Sequence, residues 1–353
     1  MINEKIRVLV VDDSFLMRRI LSDIINSDSD LEVVAKARDG KEALEKIFSL
    51  KPDVVTLDIN LPEIDGLTVL EEVMQKQPTR VIMISAYTRA GATATIKALE
   101  LGAIDFIAKP SGEISLNLSN LKDKIISKIK AVARVDLEKF ISTVSGLSFK
   151  TDRTDRKERI PSSLKKLVVI GASTGGPKVI LDVFQNIPPN LPAAFLIVQH
   201  MPEGFTLSFA ERLSWQSGMK IKEAEDGDLV LPGKGFVAPA GYHMVVEKQE
   251  NQLRIRLNQE AKVNYVRPAV DVTLTSAAEA FGKDVIGVIL TGMGKDGLDG
   301  ARSVKQKGGT IIVQDEQTSI IWGMPKAVFE AGLADKVESV SKISETIIKN
   351  INM

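Results

Sequence analysis

The 353-residue sequence contains no cysteine and only two histidines. The missing cysteine excludes disulfides, thiolate nucleophiles and cysteine-ligated metal sites. Lysine and arginine balance aspartate and glutamate at 46 each, so the overall charge favours neither nucleic acid nor an anionic membrane surface as a partner. There is no signal-peptide pattern and no apolar run near the ~20 residues that span a bilayer. We therefore expect a cytoplasmic globular protein with no nucleic-acid partner and no membrane insertion.

Strand-length apolar runs alternate with helix-length segments in the first 133 residues. The runs are Ile6–Val11, Leu31–Ala35, Val54–Leu57, Val81–Ile84 and Phe106–Ala108. Continuous apolar runs are typical of strands buried on both faces, as in a parallel sheet with helices on either side. We predict a doubly wound, flavodoxin-like domain with a five-stranded parallel sheet over residues 1–133.

Polar residues follow four of these strands. Asp12 and Asp13 follow the first, Asp58 the third, Ser85 the fourth and Lys109 the fifth. The carboxyl ends of parallel strands meet at one edge, so these side chains should converge there. Crowded carboxylates favour a cation, and an all-oxygen set suits Mg²⁺, which could also offset the charge of a phosphoryl group. A single aspartate here is more often a helix cap, but the five residues together favour a metal and phosphoryl site.

Three motifs carry a first family resemblance, which covers about residues 5–130. Val8–Ser14, Leu57–Gly66 and Phe106–Pro110 resemble the receiver domain of two-component response regulators. The resemblance implies that a histidine kinase is the phosphodonor and that Asp58 accepts the phosphate. The implied Mg²⁺ ligands are Asp12, Asp13 and Asp58, and the residues implied to respond to the phosphate are Ser85, Phe106 and Lys109.

The pattern changes between residues 134 and 163. The run Lys150–Arg159 interleaves charges of both signs and is followed by Pro161, so it can bury little apolar surface. We predict a solvated linker over residues 134–163, beginning with a helical extension over Val135–Phe140.

The second half again alternates strands and helices. Parallel strands are predicted at Leu167–Ile170, Ala194–Val198, Val285–Leu290 and Thr310–Val313, and antiparallel strands at Gly235–Pro239, Met244–Glu247 and Leu253–Leu257, with turns at Gly241 and Asn251. The pattern predicts a doubly wound α/β domain over residues 164–353 that contains an antiparallel hairpin.

One stretch of this domain, Val168–Gly176, combines an apolar run with a serine and a glycine-rich turn. A strand-to-helix turn of this kind projects its side chain at the carboxyl edge of the sheet. Ser173 is therefore a candidate nucleophile beside backbone N–H groups that could hold an oxyanion. The stretch fits neither a dinucleotide-binding loop nor a Walker A loop. It matches G-x-S-x-G, although the order of a serine, histidine and aspartate here differs from that of α/β-hydrolases.

A serine nucleophile needs a base, and the chain offers only His200 and His243. His200 directly follows a predicted strand, as Ser173 does, so it is the preferred base. His243 lies in a loop before the hairpin, where it is a hydrogen-bonded structural residue or a lining residue of the substrate groove. The preference for His200 places the base and the nucleophile at one sheet edge.

The carboxylate that would orient the base is less determined by composition. The candidates are Asp226, Asp271, Asp284, Asp296 and Asp315. Asp296 is preferred because its loop, Gly292–Gly297, follows a strand and has enough glycine for close approach to a substrate. The backbone N–H groups of Thr174 and Met293 are then the predicted oxyanion donors. Core packing is an equal alternative for Met293.

Five further motifs carry a second resemblance, over about residues 164–350. Gly171–Pro177, Gln199–Phe205, Lys222–Gly227, Arg267–Asp271 and Val288–Gly297 resemble the catalytic domain of the chemotaxis methylesterase CheB family. The resemblance implies Ser173 as nucleophile, His200 as base and Asp296 as its orienting partner, in agreement with the choice made from the residues. Val266 stands where many members carry a histidine.

The resemblance also implies a substrate and a mode of control. The substrates would be glutamate γ-methyl esters on the cytoplasmic helices of chemoreceptors, with deamidation of certain receptor glutamines as a related activity and no cofactor for the esterase step. We expect phosphorylation of Asp58 to act as a switch by changing the interface between the two domains. The alternatives are a non-catalytic response regulator whose second half binds an effector, and an esterase for small molecules.

Overall fold

The computed structural model describes residues 5–109, 118–145, 163–250 and 252–353. The chain divides after Ser145 into two units. None of the helices within these ranges is long and apolar enough to cross a bilayer.

The first unit is built on a five-stranded parallel sheet in the order β2-β1-β3-β4-β5. Its strands are β1 (Ile6–Val11), β2 (Leu31–Ala37), β3 (Val54–Asp58), β4 (Arg80–Ser85) and β5 (Asp105–Ala108). Its helices are α1 (Phe15–Asn26), α2 (Gly40–Leu50), α3 (Gly66–Lys76), α4 (Arg89–Glu100), α5 (Leu118–Ala133) and α6 (Leu137–Ser145). This strand order confirms the predicted flavodoxin-like, doubly wound domain.

Short polar side chains begin four of the helices that follow the strands. Ser14, Asp39, Asp65 and Thr88 each accept a hydrogen bond from the backbone N–H three residues later. Such N-caps satisfy one of the first N–H groups of a helix, which have no intrahelical acceptor. Helix α1 is therefore capped by Ser14, which follows the two predicted acidic residues, and neither Asp12 nor Asp13 is its cap.

Helix α6 lies inside the segment predicted to be a linker. It corresponds to the helical extension predicted over Val135–Phe140, and its Phe140 is buried. Just before it, the backbone oxygen of Val135 accepts a hydrogen bond of 2.8 Å from Arg80 Nε. The charged run Lys150–Arg159 lies outside the described residues, so the domain boundaries at 133 and 164 stay predictions.

The second unit is built on a seven-stranded parallel sheet in the order β14-β13-β12-β6-β7-β9-β8, with a separate two-stranded antiparallel hairpin. The sheet strands are β6 (Lys166–Ala172), β7 (Ala193–Gln199), β8 (Lys220–Glu223), β9 (Lys234–Val237), β12 (Val285–Ile289), β13 (Thr310–Gln314) and β14 (Lys336–Glu338), and the hairpin strands are β10 (His243–Gln249) and β11 (Gln252–Asn258). The helices are α7 (Gly176–Gln185), α8 (Phe205–Ser217), α9 (Val270–Phe281), α10 (Leu298–Gln306), α11 (Met324–Glu330) and α12 (Val340–Asn352), with one 3₁₀ turn at Gly282–Asp284. The doubly wound α/β fold and the hairpin are thus confirmed.

Strand β6 occupies the centre of this sheet, between β7 and β12. From β6 the chain builds one side of the sheet through β7, β8 and β9, and then returns to build the other side from β12. Ligands of open α/β sheets bind at the carboxyl ends of strands where the strand order reverses in this way. The Ser173 turn, which follows β6, lies at this switch point.

Two details of the second sheet differ from the sequence prediction. The segment predicted as an antiparallel strand at Gly235–Pro239 is β9, which runs parallel to both β7 and β8. The prediction was wrong because α8 and the loop after β8 each return the chain to the amino edge before the next strand. The edge strands β8 and β14, only four and three residues long, were not predicted. Of the two predicted turns, Gly241 has a positive φ of 86°, and Asn251 lies outside the described residues.

Candidate functional site

The predicted strand-to-helix turn is present at the end of β6. The backbone N–H of Ser173 donates to Thr291 O at 3.0 Å, and the N–H of Gly176, the first residue of α7, donates to Ser173 O at 2.9 Å. These bonds hold the serine backbone between the end of β12 and the start of a helix. Ser173 itself is half-buried, so the residue is partly accessible to solvent.

The loop after β12 approaches Ser173 unusually closely. A Cβ atom at Gly292 would lie 2.8 Å from Ser173 Cβ and 2.4 Å from Met324 Sδ. Contacts of this length do not occur between real side chains, so only glycine lets the loop reach the serine turn. The glycine-rich character of Gly292–Gly297 therefore has a steric cause.

Two buried polar residues tie the strand ends together. Gln199 Nε2 donates to Ser173 O at 2.8 Å and to His200 O at 3.1 Å. Thr291 Oγ1 donates to Thr174 O at 3.0 Å. Both residues end or follow apolar strands at the carboxyl edge, and this position in the sequence is the signal that predicts their place at the site. They fix the backbone of Ser173 and of the residue after it.

His200 and Asp296 form a hydrogen-bonded pair at the same edge. His200 Nε2 lies 2.8 Å from Asp296 Oδ2, and their side chains are 13% and 3% exposed. The backbone N–H of His200 donates to Ala172 O at 3.1 Å, which places the histidine directly beside the serine turn. The structure thus brings together the ends of β6, β7 and the loop after β12, as the sequence predicted.

Asp296 is held by more than the histidine. Its two oxygens accept the N–H groups of Val270 at 2.7 Å and Asp271 at 3.1 Å, the first two residues of α9. Burial raises the pKa of Asp296, but the hydrogen bond and charge of His200 and these two backbone donors outweigh burial, and the net pKa is lowered. The N-terminus of α9 also favours the negative charge, because its first N–H groups carry partial positive charge. Asp296 is therefore an ionised acceptor with a fixed orientation.

The other four carboxylates proposed from the sequence have different partners. Asp226 pairs with Arg256, Asp284 with Lys166, Asp315 accepts from Thr318, and Asp271 accepts from Asn264 and from the N–H groups of Gly297 and Gly300. Asp296 is the one of the five that hydrogen-bonds His200.

The two predicted oxyanion donors flank Ser173. Thr174 is buried in the turn, and Met293 is half-buried in the loop that contacts it. Within the described residues the Met293 N–H donates to no backbone or side-chain acceptor. Partial exposure argues against the core-packing alternative for Met293. The oxyanion role of both N–H groups stays a prediction.

His243 is fully buried, at 1% exposed. Its Nε2 lies 3.1 Å from Ala261 O, and its Nδ1 accepts the N–H of Ala269 at 3.2 Å. Both ring nitrogens are thus engaged by backbone groups, which fits the structural alternative and not a groove-lining one. Val266 lies between these two anchor points, and its N–H donates to Val263 O at 3.0 Å.

The first unit brings its acidic residues together at the carboxyl edge. One carboxylate oxygen each of Asp12, Asp13 and Asp58 lies within 4.8 Å of the others. Lys109 Nζ lies 2.9 Å from Asp12 Oδ2 and 2.8 Å from Asp58 Oδ2. Burial lowers the pKa of Lys109, but its bonds to Asp58 and Asp12 outweigh burial and the net pKa is raised. The lysine is therefore a cation bridging two carboxylates.

The donor set fits a hard cation. Asp58 Oδ1 is buried and accepts no hydrogen bond of ordinary geometry from any described residue. Burial raises the pKa of Asp58 to about 6, helped by the charge of Asp12 and opposed by the bond from Lys109. Three carboxylates against one lysine leave excess negative charge, and Mg²⁺ takes such oxygen ligands. The cluster is thus suited to Mg²⁺.

The predicted switch residues Ser85 and Phe106 lie on neighbouring strands, β4 and β5, that end at this edge. The backbone oxygen of Ser85 accepts the N–H of Lys109 at 2.7 Å, and its buried hydroxyl donates to Gly91 O at 3.1 Å. Phe106 is buried on β5, where Lys128 Nζ lies 5.5 Å from the centre of its ring. Their response to a phosphate stays a prediction.

Comparison with known proteins assigns both halves of the chain. The CheB methylesterase family model matches residues 168–347, and the response regulator receiver domain model matches residues 8–119. A protein of Pyrococcus abyssi named protein-glutamate methylesterase/protein-glutamine glutaminase is 50% identical over 350 residues, with 99% of this chain and 94% of the relative covered. A protein of the same name from Thermotoga maritima is 46% identical over 349 residues, with 99% of both chains covered.

A solved structure matches the second half. The crystal structure of the Thermotoga maritima CheB methylesterase catalytic domain is 49% identical, with a TM-score of 0.52, and covers 52% of this chain and 97% of that one. The two resemblances read from the motifs are confirmed by these matches. The chain therefore belongs to the CheB methylesterase family, and carries a response regulator receiver domain ahead of its methylesterase domain.

Proposed function

We propose that this chain is a phosphorylation-controlled protein-glutamate methylesterase and protein-glutamine glutaminase that acts on chemoreceptors in chemotaxis adaptation. The observation that carries the proposal is the His200–Asp296 pair, 2.8 Å apart, at the sheet edge that presents Ser173. The names of the full-length relatives support the same activity. A soluble enzyme of this kind would work in the cytoplasm, where the receptor helices that carry the methyl esters lie.

The geometry supports a Ser-His-Asp acyl-transfer mechanism. His200 uses Nε2 to donate to Asp296, which leaves Nδ1 to accept the Ser173 proton. The serine oxygen attacks the γ-carbonyl carbon of the ester, and the oxyanion that forms is stabilised by the N–H groups of Thr174 and Met293. The C–O bond to the methoxy group then breaks, and His200 returns the proton so that methanol leaves.

Water completes the reaction. It gives a proton to His200, attacks the acyl-serine, and releases the glutamate carboxylate while the serine regains its proton. A glutamine side chain follows the same path with ammonia as the leaving group, which gives the same carboxylate. Asp296 stays ionised throughout and stabilises the protonated histidine, consistent with its lowered pKa.

The receiver residues supply the proposed control. Asp58 accepts a phosphoryl group from a histidine kinase, and Lys109 donates to the phosphoryl oxygens. Asp12, Asp13 and Asp58 would hold Mg²⁺, which offsets the negative charge of that group when bound. The esterase residues use no cofactor in this scheme. Phosphorylation acts by shifting the population of an active state.

Covalent labelling and methanol release test this proposal together. A fluorophosphonate reagent is expected to add its mass to Ser173 in the parent chain, and the His200→Ala chain should not be labelled. Ser173→Ala should lower methanol release from methylated chemoreceptor membranes by about 10⁴–10⁶-fold. Faster turnover of simple methyl esters than of receptor membranes would instead indicate a small-molecule esterase. An unlabelled serine in a folded, phosphorylatable chain would indicate an effector-binding output domain.

A further inference from the structure

Two helix N-termini in the second unit cap one another through aspartates. Helix α9 begins after Ala269, which has no capping side chain, and its first N–H groups donate to Asp296 from the loop before α10. Helix α10 begins after Gly297, which also has no capping side chain, and the N–H groups of Gly297 and Gly300 donate to Asp271 Oδ1 at 2.9 and 2.8 Å. The N-terminus of each helix is thus capped by an aspartate at or just before the start of the other helix.

Close helix packing makes this exchange possible. A Cβ atom at Gly300 would lie 2.6 Å from Leu274 Cβ and 3.0 Å from Asp271 Cα, so a glycine is required where α10 meets α9. The two carboxylates consequently lie side by side in a buried region, with Asp296 2% and Asp271 6% exposed. Two negative charges so close together repel each other. A hydrogen-bond donor placed between the two carboxylates reduces this repulsion.

The Asn264 side chain supplies that donor. Its Nδ2 lies 2.7 Å from Asp271 Oδ2 and 3.2 Å from Asp296 Oδ1. An amide nitrogen carries two hydrogens, one for each carboxylate, and because both partners are acceptors the amide can only present nitrogen to them. Among the described residues, Asn264 is therefore the one side chain besides His200 that hydrogen-bonds Asp296.

The backbone conformation around Asn264 suits an asparagine, and the segment is anchored on both sides. Asn264 has a φ of 51° and Tyr265 a φ of 64°, a left-handed region that asparagine tolerates better than most residues. His243 anchors the segment on both sides, at Ala261 O and Ala269 N. The amide is thus positioned by a strained loop that is fixed at its two ends.

We infer that Asn264 and Asp271 are positioning residues for the reaction, which hold Asp296 Oδ2 toward His200 by bridging and capping the loop that carries it. The inference rests on the proposed function of Ser173, His200 and Asp296. It adds two residues that do not touch the substrate and act only through the orientation and charge of Asp296. Asn264 comes 32 residues before Asp296 in the chain and shares no motif with it.

Kinetics of Asn264→Ala give the first test, on the full chain with methylated receptor membranes. The variant loses a hydrogen bond to a charged group, so kcat should fall by about 10–100-fold with little change in KM. Without the bridging donor the carboxylate pair holds protons more tightly, so the acid limb of the kcat/KM pH profile should move to higher pH. Asn350→Ala, which removes an amide bond to Thr346 O on α12, is the matched control and should behave as the parent chain.

Asp271→Asn should move the acid limb in the opposite direction. It removes one negative charge beside Asp296 and His200, leaving Asp299 as the other nearby carboxylate, so the limb should move to lower pH. Its kcat should also fall, because Asn264 then faces an amide nitrogen. Asp335→Asn is the control, since Asp335 accepts the N–H of Ile311 at 2.7 Å and pairs with Lys305 in the last turn of α10, at the opposite end of that helix from Asp271.

A swapped pair separates positioning from folding. In Asn264→Asp/Asp271→Asn the bond between positions 264 and 271 can re-form, but Asp296 Oδ1 then faces a carboxylate. Thermal stability should therefore recover from that of Asn264→Asp, whereas kcat should not. The downfield proton resonance of the His200–Asp296 bond, assigned with His200→Gln, should shift in Asn264→Ala.

Three results would overturn the inference while leaving the proposed function intact. They are parental kcat in both single variants, a loss of rate without any movement of the acid limb, and recovery of kcat with stability in the swapped pair. Full activity of Ser173→Ala would instead remove the proposed catalytic serine. The failures of the two proposals are thus distinguishable.

Discussion

Asp58 and Asp296 are both buried aspartates at the carboxyl edge of a parallel sheet, yet their surroundings differ. Asp58 shares one lysine with Asp12, one of its buried oxygens accepts no hydrogen bond of ordinary geometry from the described residues, and burial raises its pKa to about 6. Asp296 receives donors from His200, Asn264 and two backbone N–H groups, and its pKa is lowered. One carboxylate has unused binding capacity and the other has very little.

The difference corresponds to two kinds of chemistry. A carboxylate that must bind a cation and form a bond to phosphorus needs an accessible lone pair. A carboxylate that orients a histidine must instead keep one direction and one charge state. The same sheet architecture provides both, because the N-terminus of α9 donates two N–H groups to Asp296, whereas Asp58 shares its lysine with a second carboxylate. The contrast predicts effects of decreasing size for the replacement of Asp296, Asp58 and Asp271.

The largest effect is expected from Asp296→Asn. The amide cannot accept a proton from His200 at the position that now carries nitrogen, so the wrong tautomer is favoured and methanol release should fall by about 10³–10⁴-fold. Methanol release from receptor membranes and phosphate uptake by Asp58 should both be measured. Uptake should match the parent, and a loss smaller than tenfold would show that orientation by this carboxylate is unimportant.

A smaller effect is expected from Asp58→Asn, which removes the proposed phosphate acceptor. With acetyl phosphate and Mg²⁺ the parent should take up phosphate and be stimulated by about 5–150-fold, the usual range of coupling between two sites. The variant should take up none and show a stimulation ratio of one, with basal activity retained. Removal of Mg²⁺ from the parent should have the same result. Asp53→Asn is the control, since Asp53 accepts the Arg7 N–H at 2.7 Å in the same unit, and stimulation of Asp58→Asn would contradict the assignment.

The smallest effect is expected on the free energy of unfolding, and it concerns Asp271, the neighbour of Asp296. Burial, together with the charge of Asp296, raises the pKa of Asp271 to about 6, above its value of about 4 in an unfolded chain. The folded chain therefore binds a proton more tightly between these pH values, and the cost of ionised Asp271 is present above pH 6 and lost below pH 4. The free energy of unfolding of the parent, relative to Asp271→Asn, should fall by about 1–3 kcal/mol between pH 4 and pH 7.

Tryptophan fluorescence in urea measures that difference selectively. The chain has two tryptophans, Trp215 and Trp322, and both lie in the second unit. Their unfolding transition therefore reports the unit that contains Asp271. A difference between parent and variant that stays constant with pH would remove the electrostatic coupling of Asp271 and Asp296.

Much of the fold could be read from the pattern of apolar runs. Strand β1 was predicted with the bounds that it has, and the remaining long strands within one to two residues, because strands buried on both faces have no polar positions. The short edge strands β8 and β14 were not predicted, since they contain exposed lysines and no continuous apolar run. The direction of β9 was missed because direction depends on the crossover before a strand and not on its own residues.

The candidate site could be predicted only where its residues follow strands. Ser173, His200 and Asp58 directly follow or end a buried strand, so their meeting is a consequence of parallel pairing. Asp296 was preferred among five aspartates as the carboxylate that orients His200, and this preference depended on the glycine-rich loop in which it lies. Asn264 carried no signal, because a loop between a hairpin and a helix can lie anywhere along the sheet edge.

The sequence by itself determined that two parallel sheets would each collect polar side chains at their carboxyl edges, since strand periodicity and the residues after each strand are local properties. Only the tertiary structure decided which aspartate meets His200, and that Asp271 and Asp296 exchange helix caps across an asparagine. The reason is physical. The partners of each carboxylate are determined by how the two helix N-termini, at Val270 and Leu298, pack together, and that packing depends on contacts between residues far apart in the chain.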